Sequence, residues 1–147
     1  MQSGVRSSES GAPYETFDHE ADIGVRGFGA TIEEAFANTA AAMYSVMVEL
    51  NAVKPEREKN VSAEAPDREL LLVEWLNALL SLTDIERMVF SKFEVKIAGT
   101  SLTGTVWGEP LDRVKHAPKV EVKGATYYML KIGKEKDRFV AQCVVDV

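Results

Sequence analysis

Between residues 70 and 82 nearly every side chain is apolar, and the polar exceptions in and just beyond this run, Glu74, Asn77, Ser81 and Asp84, recur every three or four residues. That spacing leaves one narrow polar stripe on a helix whose remaining surface must be covered by other elements. The run is therefore expected to form the central helix of the domain, with Trp75 packed inside. Pro66-Asp67 supplies its start signal. A second helix is announced by Thr31-Ile32-Glu33-Glu34, a capping box in which hydroxyl and carboxylate each satisfy a free backbone donor. Ile32, Phe36, Ala40, Met43 and Met47 follow at helical spacing, and the pattern fades near Asn51. A stripe of this kind reads as core rather than as a ligand box.

The remaining apolar segments are short and alternate, as half-covered strands do. Residues 14–18 and 23–28 read as two strands joined through the acidic stretch 18–22. Gly24, Gly27 and Gly29 predict that the second is weak or bulged. Further strands are expected over residues 60–65, 89–97, 102–107, 120–132 with an interruption at Gly124, and 139–147. A polar turn over 133–137 joins the last two. Two helices and a run of strands give an α+β domain, with the helices packed on one face of a largely antiparallel or mixed β-sheet. Residues 14–147 form this single domain. Residues 1–13 carry Ser, Gly and Glu with almost no bulky apolar side chains and are expected to be a disordered tail.

With 147 residues, 46% of them hydrophobic, the chain suffices for one good core. No apolar run reaches the roughly 20 residues that a membrane span needs, and the N-terminus lacks a signal pattern, so a soluble, cytoplasmic protein is expected. A formal net charge of −6 argues against direct nucleic-acid binding, which needs a basic face. The single cysteine, Cys143, falls in the apolar phase of the last strand and reads as a buried small hydrophobe. The chain lacks a Walker loop, a paired-cysteine motif and a G-x-S-x-G elbow. Two histidines, His19 and His116, are too few for a typical zinc centre unless carboxylates complete it.

One constellation bears chemistry. Asp18-His19-Glu20-Ala21-Asp22 crowds three carboxylates and an imidazole into a strand junction, while Asp146 and Val147 follow the final alternating strand. Carboxylates from two distant segments, with a terminal carboxylate at Val147, form an oxygen-rich set suited to a hard divalent cation. Spacing alone leaves a second reading open: Asp18 and Asp22 as Asx caps of a turn, and Asp146 as a solvated strand end.

Phe17-Asp18-His19-Glu20-Ala21-Asp22-Ile23, followed by Gly29-x-Thr31-x-Glu33-Glu34-Ala35-Phe36, resembles the N-terminal signature of the archease family. Gly108-Glu109-Pro110-Leu111-Asp112 with His116, then Glu121-Val122-Lys123-x-Ala125-Thr126-Tyr127, and finally Val145-Asp146-Val147 resemble its later segments in order. Two positions depart from the family's habit. Glu20 stands where Thr is frequent, and Tyr128 where His is frequent.

The resemblance implies a small protein cofactor of an RtcB-type RNA ligase, which promotes GTP-dependent guanylylation and repeated turnover in tRNA splicing and RNA repair. It implies a divalent metal, Ca²⁺ foremost with Mg²⁺ or Mn²⁺ as alternatives, held by Asp22, Asp146 and the Val147 carboxylate, with Asp18 and His19 supporting or facing the partner. RNA would be met only through the ligase, and no turnover is expected of the protein itself. Two other classes compete: a metal-dependent hydrolase or phosphotransferase with its own site at these carboxylates, and a general chaperone using the helix over residues 70–82 as its client surface.

Overall fold

The structure, a computed structural model, describes residues 12–147. Strands β1 (Tyr14–His19) and β2 (Asp22–Gly29) lead into helix α1 (Ile32–Met47), a 3₁₀ turn (Leu50–Ala52) and strand β3 (Arg57–Glu64). Helix α2 (Arg68–Glu86) follows, then β4 (Met88–Ala98), β5 (Ser101–Pro110), the one-turn helix α3 (Arg113–His116), and strands β6 (Gly124–Ala125), β7 (Lys131–Glu135) and β8 (Arg138–Asp146). The α+β reading holds, with two main helices and antiparallel pairing throughout, but the strands divide into two sheets. One runs β1-β2-β8-β6, with β7 also pairing β8; the other runs β3-β5-β4. Of the tail expected over residues 1–13, all but Ala12 and Pro13 lies outside the described residues. The Pro13 carbonyl accepts from Phe28 N–H (2.9 Å) and so already belongs to the sheet.

Both predicted helix starts are present. Thr31 Oγ1 accepts from Glu34 N–H (3.1 Å), while Glu34 Oε1 accepts from Ala30 N–H (2.6 Å). Asp67 Oδ1 accepts from Leu70 N–H (2.8 Å) at the head of α2. The centre of the domain is nevertheless α1, not the helix over residues 70–82. α1 packs against β2 and β8 of the first sheet and β4 of the second, and buries Ala35, Phe36, Ala37, Thr39, Ala40, Ala41, Ala42, Met43, Tyr44 and Val46 around most of its circumference. Its alanines conceal this in the sequence, because small side chains carry little hydrophobic signal while letting two sheets approach one helix. α2 lies alongside and buries Leu71, Leu72, Val73, Trp75, Leu76 and Leu79; Trp75 is inside as expected, its Nε1–H donating to Phe36 O (3.0 Å). Burial of that face removes the client surface that a chaperone reading needs.

Strand β2 is neither weak nor bulged: its register with β8 runs unbroken from Ile23↔Val145 to Gly29↔Phe139. Its glycines serve close approach instead. A Cβ on Gly27 would lie 2.2 Å from Thr39 N and 2.4 Å from Ala35 O, so only glycine lets the α1 backbone settle onto the strand. The strand expected over residues 120–132 is the clearest correction. Residues 120–123 form no strand, β6 is two residues long, and between Ala125↔Val145 and Lys131↔Gln142 five residues, Thr126 to Leu130, stand against two, Cys143 and Val144. The Thr126 hydroxyl breaks the ladder there, donating to Val144 O (2.7 Å) and accepting from Tyr128 N–H (3.2 Å). Cys143 is buried, and burial pushes its thiol up to about 12, in keeping with a structural role.

Gly27→Ala is predicted to destabilise the domain by about 2 kcal/mol or more, a fall of roughly 4–8 °C in Tm. Calorimetric unfolding checks this, and an unchanged Tm would contradict the proposed helix–strand contact.

Candidate functional site at the end of the first sheet

The β1–β2 hairpin turns through Glu20 and Ala21 alone, so His19 pairs directly with Asp22. The β2–β8 register reaches Ile23↔Val145, and one further step sets Asp22 across from Asp146. Directly opposed residues of antiparallel strands share a face, with Cβ atoms about 4.5–5.5 Å apart. His19, Asp22 and Asp146 therefore line one face at the sheet's end, while Asp18, paired with Ile23, belongs to the other. Asp22 Oδ1 accepts from Val147 N–H (3.3 Å), which draws Val147 into the group. The His19 ring leans on Tyr128, with centroids 5.6 Å apart. Asp18, Glu20 and Asp146 are exposed; His19, Asp22 and Val147 are half-buried.

Among the described residues, neither Asp22 nor Asp146 is in an ion pair. Nor do three side chains of the His, Cys, Asp and Glu types gather in metal-binding geometry among them. The set that does converge is thus two carboxylates plus the main chain of Val147. Hard oxygens of that kind suit Ca²⁺ or Mg²⁺, whose remaining positions water can fill, and do not suit a soft-ligand zinc site.

A second polar cluster, whose buried ion pair the sequence does not reveal, lies at the end of β5. Glu109, at the end of β5, is buried, and its Oε2 accepts from His116 Nε2–H (2.8 Å) and Lys54 N–H (2.9 Å) and pairs with Lys115 Nζ (2.8 Å). The His116 Nδ1 accepts from Asp112 N–H (2.9 Å), which assigns the proton to Nε2. Asp112 Oδ1 caps α3 through Val114 and Lys115 N–H (both 3.0 Å). The hydrogen bond from Lys115 is the main cause that holds the Glu109 carboxyl down at about 2, followed by that from Lys54 N–H. From this knot the chain runs as an extended strap to β6. Glu49 N–H donates to His116 O (2.8 Å), Lys119 N–H to Met47 O (2.8 Å), and Lys123 N–H to Asp146 O (2.7 Å). In the sequence this cluster was marked only by the family resemblance of Gly108-Glu109-Pro110-Leu111-Asp112 with His116.

The fold and this paired-carboxylate end define a small α+β domain in which two helices and two antiparallel sheets present a carboxylate pair at the end of one sheet. The chain belongs to the archease family: the family model described as Archease protein family (MTH1598/TM1083) matches residues 14–147. It is 45% identical over 139 residues to Protein archease of Pyrococcus abyssi, covering 91% of this chain and 98% of that one. It is 40% identical over 136 residues to Protein archease of Sulfurisphaera tokodaii, with the same two coverages. Among solved structures it resembles protein 1598 of Methanobacterium thermoautotrophicum, with a TM-score of 0.81 and 37% identity over 92% of this chain and 99% of that chain. An archease of Thermotoga maritima shares the fold at a TM-score of 0.59 and 20% identity, covering 90% of this chain and 96% of that one. Archeases are in general accessory factors without turnover of their own. No helix among the described residues is long and apolar enough to cross a membrane.

Glu109 makes a testable contribution to acid stability. Its folded pKa lies below the ordinary carboxylate value, so its stabilisation is present above about pH 4.5 and lost as pH falls towards about 2. Glu109→Gln is predicted to flatten this part of the stability–pH curve and to cost about 1–3 kcal/mol at neutral pH by leaving His116 and Lys115 without their anion. Urea unfolding at several pH values measures both effects, and parallel curves for the two proteins would refute the assignment.

Proposed function

We propose that this protein activates an RtcB-type RNA ligase in the cytoplasm, promoting GTP-dependent guanylylation of the ligase and its repeated turnover in tRNA splicing and RNA repair, without catalysing a reaction itself. The observation that supports the reading is the family match across residues 14–147, together with two carboxylates, Asp22 and Asp146, that register sets opposite each other at the end of one sheet and that enter no ion pair among the described residues. In this reading Asp22, Asp146 and the main-chain oxygen of Val147 hold one divalent cation, Ca²⁺ in the first instance and Mg²⁺ or Mn²⁺ as alternatives. When bound, the cation supplies positive charge to offset phosphate oxygens during guanylyl transfer. The chain's own part is to hold the two carboxylates at fixed separation on paired strands, with His19 beside them and Asp18 on the opposite face. An acidic protein of net charge −6 is suited to meet a basic, RNA-handling enzyme rather than RNA.

Added below the ligase concentration with GTP and divalent metal, the protein should raise both the guanylylated fraction and the number of ligations per ligase molecule. Asp22→Ala should abolish the gain; full stimulation by that variant would separate the carboxylates from the function.

Metal binding is tested apart from the ligase. Calorimetric titration with Ca²⁺ should show affinity weakened about tenfold or more in Asp22→Asn and in Asp146→Asn, because each loses one ligand charge. Equal affinity in both variants and the wild type would eliminate this ligand set.

A further inference from the structure

We propose that Tyr127, Tyr128 and Met129 form a preorganised protein-docking anchor that seats the carboxylate end of the first sheet against a basic surface of its partner; the proposal rests on the ligase reading above. These three consecutive side chains are 67%, 67% and 47% exposed, while the backbone that carries them is tied down at nearly every residue. Thr126 N–H donates to Val144 O (3.0 Å), Val144 N–H to Tyr128 O (3.0 Å), Gln142 Nε2 to Met129 O (3.1 Å) and Leu130 N–H to Tyr127 O (3.3 Å). Met129 takes φ of 51°, a left-handed conformation that a non-glycine residue holds only at a cost.

A loop that merely linked β6 to β7 would have no need to hold large apolar groups in water on a fixed, strained frame. Fixing them beforehand lowers the ordering entropy of association, and tyrosine is among the residues enriched at binding hot spots. The loop also covers the β8 face that carries Val144 and Asp146, and Tyr128 touches His19, so an occupant of the anchor lies beside the paired carboxylates. The partner's charge follows from the surroundings. Asp18 and Glu20 are exposed on the adjoining hairpin, Lys131 on the departing strand is offset by Glu135 (3.9 Å), and the chain as a whole carries −6. The matching surface is therefore basic, with apolar hollows for the two rings and arginine or lysine side chains to stack on them. A ligase that handles RNA phosphates presents such a surface.

The test compares the wild type with a triple variant, Tyr127→Ser, Tyr128→Ser and Met129→Gly, the last chosen because glycine accepts the loop's positive φ. The half-saturating concentration for ligase guanylylation, Ca²⁺ affinity by calorimetry and Tm are measured for both. A rise of about tenfold or more in half-saturation, with Ca²⁺ affinity and Tm kept, supports the anchor. Glu20→Lys should also raise half-saturation, and added salt should raise it for the wild type. An unchanged half-saturation in the triple variant overturns the anchor while leaving the ligase reading standing. Weakened Ca²⁺ affinity in that variant also overturns it, since the loop would then serve the cation. If the triple variant fails to fold, Tyr127→Ser alone decides by the same two readouts, because among the described residues the Tyr127 side chain makes no hydrogen bond or ring contact. Absence of stimulation by the wild type overturns both readings, and so differs from failure of the anchor alone.

Discussion

The pairing of β2 with β8 is the contact on which the candidate site depends. It joins strands more than a hundred residues apart in sequence and is the only route by which Asp22 comes to face Asp146. Side chains on a strand alternate, so a slip of one residue would send Asp146 to the opposite face and leave each carboxylate alone. The register is held from above by α1. Gly27 admits its backbone, Thr39 Oγ1 donates to Ala141 O on β8 (3.1 Å), and Asn38 Nδ2 donates to Phe28 O on β2 (2.7 Å). The helix thus grips both strands of the pair, and the site inherits its rigidity from the most buried element in the domain.

The outer face of the same sheet is closed by a different device. The ring of Phe17 lies over Gly24, where a Cβ would come within 2.1 Å of it, and the Arg26 guanidinium sits 4.4 Å from that ring. Arg26 also pairs with Glu15 and donates to Gln142 Oε1 (2.8 Å), so three strands are tied across one polar row. Further along, the bulged loop takes over as the cover. β8 is consequently buried on both faces from Val140 to Val145 and becomes fully exposed at Asp146. A strand enclosed on both faces and open at its end holds its last carboxylate in a fixed position that water and ions still reach.

The buried Glu109–His116 pair does comparable work for the connection between sheets. It anchors a strap that would otherwise be a long unpaired segment, and the strap ends in a hydrogen bond to the main chain of Asp146. A charged group is tolerated in this position because every buried polar side-chain atom among the described residues has a partner.

Residues whose signals are local could be read directly from the chain: the Thr31 and Asp67 caps, the alternation along β4, and the apolar phase that buries Cys143. Each depends on neighbours within a turn or a strand step, where periodicity and capping chemistry act without help. The central role of α1 was hidden because alanine gains its importance from what presses on it. The strand read over residues 120–132 failed for a related reason: valines and tyrosines favour extended backbone, but a hydroxyl from Thr126 and the needs of β8 decided which of them would pair. Sequence motifs identified Asp22, Asp146 and Val147 as candidate ligands through a family resemblance, whereas the convergence of Asp22 and Asp146 on one face comes from strand register. Register is a property of the assembled sheet, set by non-local hydrogen bonds and by the fit of α1 against Gly27, and no window of residues along the chain contains it.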